Sequence, residues 1–305
     1  MIPVLTYSEE KREKTACSPS DSGKLECDIW LNLKGVEPTN PTKWNDTLRM
    51  EAGKAIELQM IKVLKMNGVI AEDYDQDKIP TTEIEREGIK IRMKFDAVCK
   101  EAVLKVQDSL MPNTESIQIH EGEPLEVKSV NNKNSFDIQD YIDGKPRENY
   151  VTQLAMYCDA LGKDRGHLFV STIDGLNYFW FECIKVGEGK YKCGNVEVDI
   201  TKEYKRFAEI WNKFKNDIEP NWFEEIYKTP VDQIDWTKVS KSKIGDARNN
   251  HRVIGSEGQY KILYSNYTDL ILQKQGIEKR GYSEEELAII KKATEGYSSK
   301  KKVSE

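Results

Sequence analysis

Two spacings of apolar residues alternate along this chain, and the changes between them mark out its elements. From Trp44 to Asn67 the spacing is helical. Leu48, Ala52, Ile56, Met60, Val63 and Leu64 recur every three or four residues, and Gly68 supplies a stop. Two or three strands are predicted across 69–106. In one of them Ile89, Ile91, Met93 and Phe95 alternate with Lys90, Arg92, Lys94 and Asp96, setting an apolar face against a basic one that ends in an acid. A polar insertion, 107–122, precedes a strand at Leu125–Val130, and a long loop, 131–147, follows it. Loops of that length in compact domains are as a rule functional or mobile.

Glu148–Leu161 reads as a helix with Val151, Leu154, Ala155, Cys158 and Leu161 along one side and Gly162 at its end. His167–Thr172 and Tyr178–Cys183 read as strands paired across an Asp174-Gly175 turn, Val196–Ile200 as a weaker strand, and Lys202–Asn216 as a helix. Beyond Pro220 the pattern is polar and irregular up to a last helix at Ser283–Thr294, and the Ser/Lys-rich tail has the composition of a disordered segment. This order predicts an α/β fold, with a central mixed β-sheet flanked by helices and a helical or irregular C-terminal extension. Residues 1–43 are polar apart from Cys27–Leu33, which predicts a segment packed on the core. The expected division is therefore 1–43, a core at 44–219 and an extension at 220–305.

Composition narrows the class. The 305 residues, 38% hydrophobic and 32% charged, suit a soluble globular protein, and no apolar run approaches the roughly 20 residues of a membrane span. Glu9, Glu10, Lys11 and Arg12 interrupt the amino terminus before a signal-peptide block forms, so a cytoplasmic location is expected. A net charge of −6 argues against wholesale nonspecific nucleic-acid binding, yet it is compatible with an acidic metal site beside a local basic groove. Six cysteines (17, 27, 99, 158, 183 and 193) contain no CxxC pair and read as reduced structural thiols, with Cys99 and Cys158 on core faces. None of the three histidines is spaced for zinc, and Gly187–Lys190 lacks the spacing of a Walker loop. The basic stretch Lys238, Lys241, Lys243, Arg248 and Arg252 reads equally as a DNA grip or a solvated loop.

The candidate chemistry lies in Asp96, Glu126 and Lys128. Glu-x-Lys triplets also occur at Glu9–Lys11, Glu188–Lys190 and Glu203–Lys205, in a polar terminus, a Gly-rich turn and a helix. Only Glu126-Val127-Lys128 lies in an apolar strand, where residues two apart share a face. Only that copy follows a strand ending in an aspartate. Two carboxylates hold a hard cation, and an ammonium orients the attacking water, which is what a magnesium-dependent phosphodiesterase needs. The plain alternative is an exposed cross-strand charge pair.

Four short motifs in order resemble the PD-(D/E)XK nuclease superfamily, in its RecB-like and phage exonuclease branch, over about residues 45–185. They are Arg49–Glu57, similar to the branch's first helical motif with Glu57 where many members have histidine; Phe95-Asp96, without the nominal proline; Glu126-Val127-Lys128; and Tyr150–Tyr157, similar to its Gln-x-x-x-Tyr helix. The resemblance implies a restriction-endonuclease-like core and hydrolysis of DNA phosphodiesters. It implies that Glu57, Asp96, Glu126 and the Val127 carbonyl hold one or two Mg²⁺ or Mn²⁺ ions. Lys128 would position the water, and Gln153 and Tyr157 would touch a phosphate or base. Arg92, Lys94, Lys133, Lys145 and Arg147, with Lys90, would guide the DNA backbone. One branch of the family holds an iron–sulfur cluster with one early and three late cysteines. Ser18–Ser20 and Cys27–Leu31 resemble its early ligand region, but no cysteine follows Cys193, so no cluster is expected.

The expected function is an exonuclease of recombination or repair, a phage-encoded one included, which would place it in the host cytoplasm. DNA and a recombination or single-strand-binding protein are its expected partners. An endonuclease or junction resolvase on the same fold, or a non-catalytic DNA-binding subunit, are the alternatives.

Overall fold

The computed structural model describes residues 16–75, 81–105, 116–131, 135–173, 177–250 and 252–296. In chain order its helices are α1 (Glu26–Leu33), α2 (Trp44–Met66), α3 (Ser135–Ile142), α4 (Glu148–Leu161), α5 (Ile200–Lys215), α6 (Lys241–Arg248), α7 (Gln259–Tyr264), α8 (Thr268–Lys274) and α9 (Glu284–Ala293). Its strands are β1 (Thr81–Arg86), β2 (Ile89–Lys94), β3 (Ala97–Val98), β4 (Ala102–Leu104), β5 (Ile117–Ile119), β6 (Pro124–Val130), β7 (Arg165–Thr172), β8 (Tyr178–Gly187), β9 (Lys190–Cys193) and β10 (Val196–Asp199).

Two compact units result. One comprises residues 1–23 and 42–218, the other 24–41 and 219–305. The first is a mixed α/β unit with a six-stranded sheet in the order β10-β9-β8-β7-β6-β3. Only β6 and β7 run parallel, from Leu125 beside His167 to Val130 beside Thr172, and the other neighbours are antiparallel. A parallel pair needs a long crossover, and here α3 and α4 supply it. β1–β2 and β4–β5 form separate two-stranded sheets.

Apolar spacing explains most of these elements. Ile89, Ile91 and Met93 are buried along β2, while Lys90, Arg92 and Lys94 are exposed, as the alternation requires. α4 is buried from Val151 to Cys158, on every side rather than on one stripe, so it behaves as a core helix. Gly162 ends it at φ 62°, a left-handed conformation that costs glycine little. In α2 the pattern is shifted from expectation. Leu48 and Val63 remain exposed, and Thr47, Gly53, Met60, Ile61 and Leu64 make the buried face.

Several expectations need correction. The predicted polar insertion contains β5, and the predicted long loop contains α3, because short elements carry too few residues to show a period. Four strands, not two or three, begin between 81 and 104. The Asp174-Gly175 turn and the C-terminal tail lie outside the described residues.

The second unit has its own core. Leu25, Cys27 and Leu31 bury with Tyr227, Trp236, Ile244, Ile262, Ile271 and Ile290. Residues 24–41 of the segment expected at 1–43 belong to this unit, and the region after Pro220 carries α6 to α9 rather than one last helix. All six cysteines are buried free thiols. Among the described residues no helix is long and apolar enough to cross a membrane.

Candidate active site

The site forms where β6 outruns its neighbour. β3 pairs with β6 only at Ala97–Leu125 and Val98–Pro124, so the N–H groups of Val127 and Ser129 face an edge without a strand. Buried or half-buried amides require partners, and two carboxylates supply them. Asp96 Oδ2 accepts from Val127 N–H at 2.9 Å. Glu57 Oε1 accepts from the Ser129 N–H and hydroxyl, both at 3.0 Å. Val130 gives its carbonyl to Ile173 beyond β7, which fixes the strand's alternation, so the Val127 carbonyl faces the same open edge as its N–H.

Glu57 reaches the strand because Gly53, one turn earlier on α2, lets helix and strand touch. A Cβ on Gly53 would stand 2.6 Å from Ser129 Oγ. The glycine in the Arg49–Glu57 motif thus has a packing role.

Side chains alternate along β6, so Leu125 and Val127 join Met60, Ile61 and Leu64 in a core on one face. Glu126 and Lys128 take the other. Glu126 is 0% exposed, and the Lys128 ammonium sits against one of its oxygens as an ion pair. Apart from that contact, neither Glu126 oxygen accepts a hydrogen bond. Burial, and next the adjacent Asp96 carboxylate, push the Glu126 carboxyl well above the usual range, and Lys128 opposes this incompletely. Burial would lower the Lys128 pKa, but the negative charges of Glu126, Asp96 and Glu57 outweigh it and raise it. A further cation beside Glu126 would act in the same sense as Lys128, against the rise of the Glu126 carboxyl.

Two tyrosines fix the turn that carries Asp96. The Tyr74 hydroxyl donates to the Asp96 carbonyl. The Tyr157 hydroxyl donates to the Lys94 carbonyl at 2.6 Å, receives Gln153 Nε2–H at 2.8 Å, and its ring meets Phe95 edge-on at 4.9 Å. Burial first, and the Glu126 charge second, keep this phenol protonated. Gln153 and Tyr157 were expected to touch a phosphate or base. Both are buried, and the tyrosine's proton is committed to the Lys94 carbonyl, two residues before Asp96.

The expected DNA-guiding cations divide. On the exposed face of the β1–β2 hairpin, Arg92 stands opposite Glu83 and Lys90 opposite Glu85, which balances their charge, while Lys94 faces Thr81. Period-two alternation located these cations but could not show the acids across from them. Lys145 and Arg147 line, with Asp140, Tyr141 and Pro146, a pocket of about 200 Å³ at the start of α4. Arg147 lies over the ring of Tyr150, as does Lys128. Lys133 lies outside the described residues. Tyr74, Ser129 and Tyr150 were not singled out from the sequence. Nothing in their spacing marks them, and only the fold brings them to Asp96, Glu57 and Lys128.

Among the described residues no three His, Cys, Asp or Glu side chains converge as a metal-binding group. Glu57 is drawn to Ser129, so the expected three-carboxylate set becomes a pair. Asp96 and Glu126 lie within hydrogen-bonding reach of each other, with the Val127 carbonyl on the same edge. Mg²⁺ characteristically takes one or two carboxylates and keeps several waters. A buried carboxylate with one ammonium as its donor contact, beside a second carboxylate, fits such an ion.

No protein-family model and no curated protein matches the chain. Among solved structures, the SSO0001 protein is similar at 15% identity over 76% of this chain and 88% of that one, with a TM-score of 0.38. An alkaline exonuclease (LHK-Exo) from Laribacter hongkongensis is similar at 12% identity over 66% and 89%, also at a TM-score of 0.38, and again in its complex with dAMP. At these scores the likeness carries no weight about activity, which has to be argued from the site.

Proposed function

We propose that this protein is a Mg²⁺- or Mn²⁺-dependent deoxyribonuclease, most simply an exonuclease of recombination or repair working in the cytoplasm on DNA. The observation that carries the reading is the Glu126 carboxylate, wholly buried beside Asp96, with the Lys128 ammonium as its one donor contact. Keeping a buried carboxylate so sparsely partnered is costly, and such groups cluster at functional sites.

In this reading Asp96, Glu126 and the Val127 carbonyl hold the cation, which when bound offsets phosphate charge and acidifies a coordinated water. Glu57, one ladder step along, orders Ser129 and reaches the site through water. Lys128, held by Glu126, orients the attacking water and stabilises negative charge as it develops on the phosphate. Water adds at phosphorus, the phosphorus–oxygen ester bond breaks, and the products are a phosphomonoester and an alcohol. Tyr157 and Tyr74 keep Asp96 in place from either side. Lys145 and Arg147 supply positive charge for the strand, which makes binding salt-sensitive.

The test is degradation of linear and closed circular DNA with Mg²⁺ or Mn²⁺ by the wild-type protein and the Asp96→Ala and Lys128→Ala variants. Loss of linear DNA with the circle spared, and inactivity of both variants, is expected. Degraded circles would favour the endonuclease or resolvase alternative. Equal degradation by all three proteins would remove the site.

A further inference from the structure

Tyr150 has no part in the mechanism above, yet it joins the ammonium of the site to the cations at the start of α4. It is half-buried on the first turn of α4. Lys128 Nζ stands 5.6 Å from its ring centroid and the Arg147 guanidinium carbon 5.7 Å. Arg147 Nη1 also reaches the Tyr150 hydroxyl at 3.4 Å.

A lysine head on a four-carbon stem has many rotamers, and one ion pair with Glu126 restrains only its tip. An aromatic face attracts the ammonium by its quadrupole without offering an acceptor that would compete with Glu126 or a water. The ring therefore holds Lys128 while leaving its remaining N–H groups for ligands. Arg147 on the same ring keeps a second cation at a fixed remove.

We propose that Tyr150 is a positioning residue: its ring seats the Lys128 ammonium against Glu126 and sets Arg147 beside it, so that both cations address one phosphodiester of the DNA. The second half rests on the nuclease reading, whereas the seating of Lys128 does not.

The experiment separates the two. The Lys128 ε-methylene resonance, assigned by its loss in Lys128→Arg, is compared in wild type, Tyr150→Phe, Tyr150→Trp and Tyr150→Leu, with the Leu154 methyls reporting that α4 is intact. DNA cleavage is measured on the same samples. The ring should shift the resonance upfield in every aromatic variant, and Tyr150→Leu should return it to the ordinary lysine position. For Tyr150→Leu, kcat should fall by roughly tenfold, the scale of one desolvated cation–π contact, with a smaller change in KM. Tyr150→Phe should stay within about twofold of wild type, because the ring makes the contact with Lys128 and still faces Arg147, which loses only a long bond to the hydroxyl.

An upfield shift that survives in Tyr150→Leu overturns the seating, and so does an aromatic variant that loses it. A shift lost in Tyr150→Leu with kcat unchanged overturns the link to the reaction. If wild type cleaves no DNA, the nuclease reading fails and the resonance alone decides the seating.

Discussion

Two buried glutamates lie three residues apart at and before the start of β6, and their surroundings are opposite. Glu123 is fully partnered. Its Oε2 accepts from the His120 N–H at 2.8 Å and meets His167 Nε2 at 2.8 Å, and its Oε1 accepts from Arg165 Nε–H at 2.8 Å. Trp180 donates its indole N–H to His167 Nδ1 at 3.2 Å, which leaves the His167 proton on Nε2 for Glu123. Burial alone would raise the Glu123 carboxyl, but the His167 and Arg165 bonds hold it down to about 2. Glu126 has the Lys128 ion pair as its one donor contact, and a carboxyl pushed upward. One carboxylate is used up by the fold. The other has one ammonium for its two oxygens, which is the mark of a group kept for a ligand.

The sharpest way to break this contrast is through activity. Asp96→Ala, Lys128→Ala and Glu126→Gln should each lower DNA cleavage by roughly three orders of magnitude, as loss of a preorganised charge does elsewhere. Glu123→Gln should leave cleavage per folded molecule within a few fold. A Glu126→Gln enzyme as active as wild type would erase the difference between the two positions.

Stability should divide them the other way. Glu123→Gln leaves Arg165 and His167 short of a buried charge and should cost about 3–5 kcal/mol in denaturant unfolding. Glu126→Gln gives up the Lys128 ion pair but relieves the repulsion from Asp96, which still faces Lys128, and should cost less than Glu123→Gln. Equal losses would mean that Glu126 is structural too.

The pH dependences should have opposite signs. A depressed carboxyl contributes stability above its unfolded pKa and loses it as pH falls, so the Glu123 contribution should disappear between the ordinary value of 4.5 and about 2. A raised carboxyl favours the folded state at low pH, and that advantage is lost as pH rises through its folded value. Cation affinity should therefore strengthen as pH rises above 4.5, because the ion displaces the proton held by Glu126. Melting curves and cation titrations across pH check both slopes.

The smallest effect belongs to Gly53→Ala. The added methyl meets Ser129 Oγ and should cost that hydroxyl's bond to Glu57, about 0.5–1.5 kcal/mol, with a modest loss of cleavage. A neutral result would show that Glu57 can hold Ser129 by its N–H alone.

How much of this was legible in the chain follows from the range of each interaction. Glu126 and Lys128 share a face because they are two apart on an apolar strand, and that much is local. The alternation at 89–94 and the α4 stripe are local as well, and so was the mixed α/β sheet that they imply. Glu57 was legible as a helical acid, but its bond to Ser129 crosses 72 residues of chain. Glu123, His167 and Trp180 meet only when β6, β7 and β8 align, and no spacing announces them. α3 and α6 to α8 were missed because each has only six to eight residues. The hairpin cations read as a DNA path until β1 set Glu83 and Glu85 across from them.

The central claim is that Glu126 is left with the Lys128 ammonium as its one donor contact because a divalent cation belongs there. Calorimetric titration of Mg²⁺ and Mn²⁺ into wild type, Glu126→Gln and Glu123→Gln at one pH tests it most directly. Wild type and folded Glu123→Gln should bind with release of a proton, and Glu126→Gln should lose both the binding and the proton. Equal binding by wild type and Glu126→Gln, or no binding by wild type, would contradict the account.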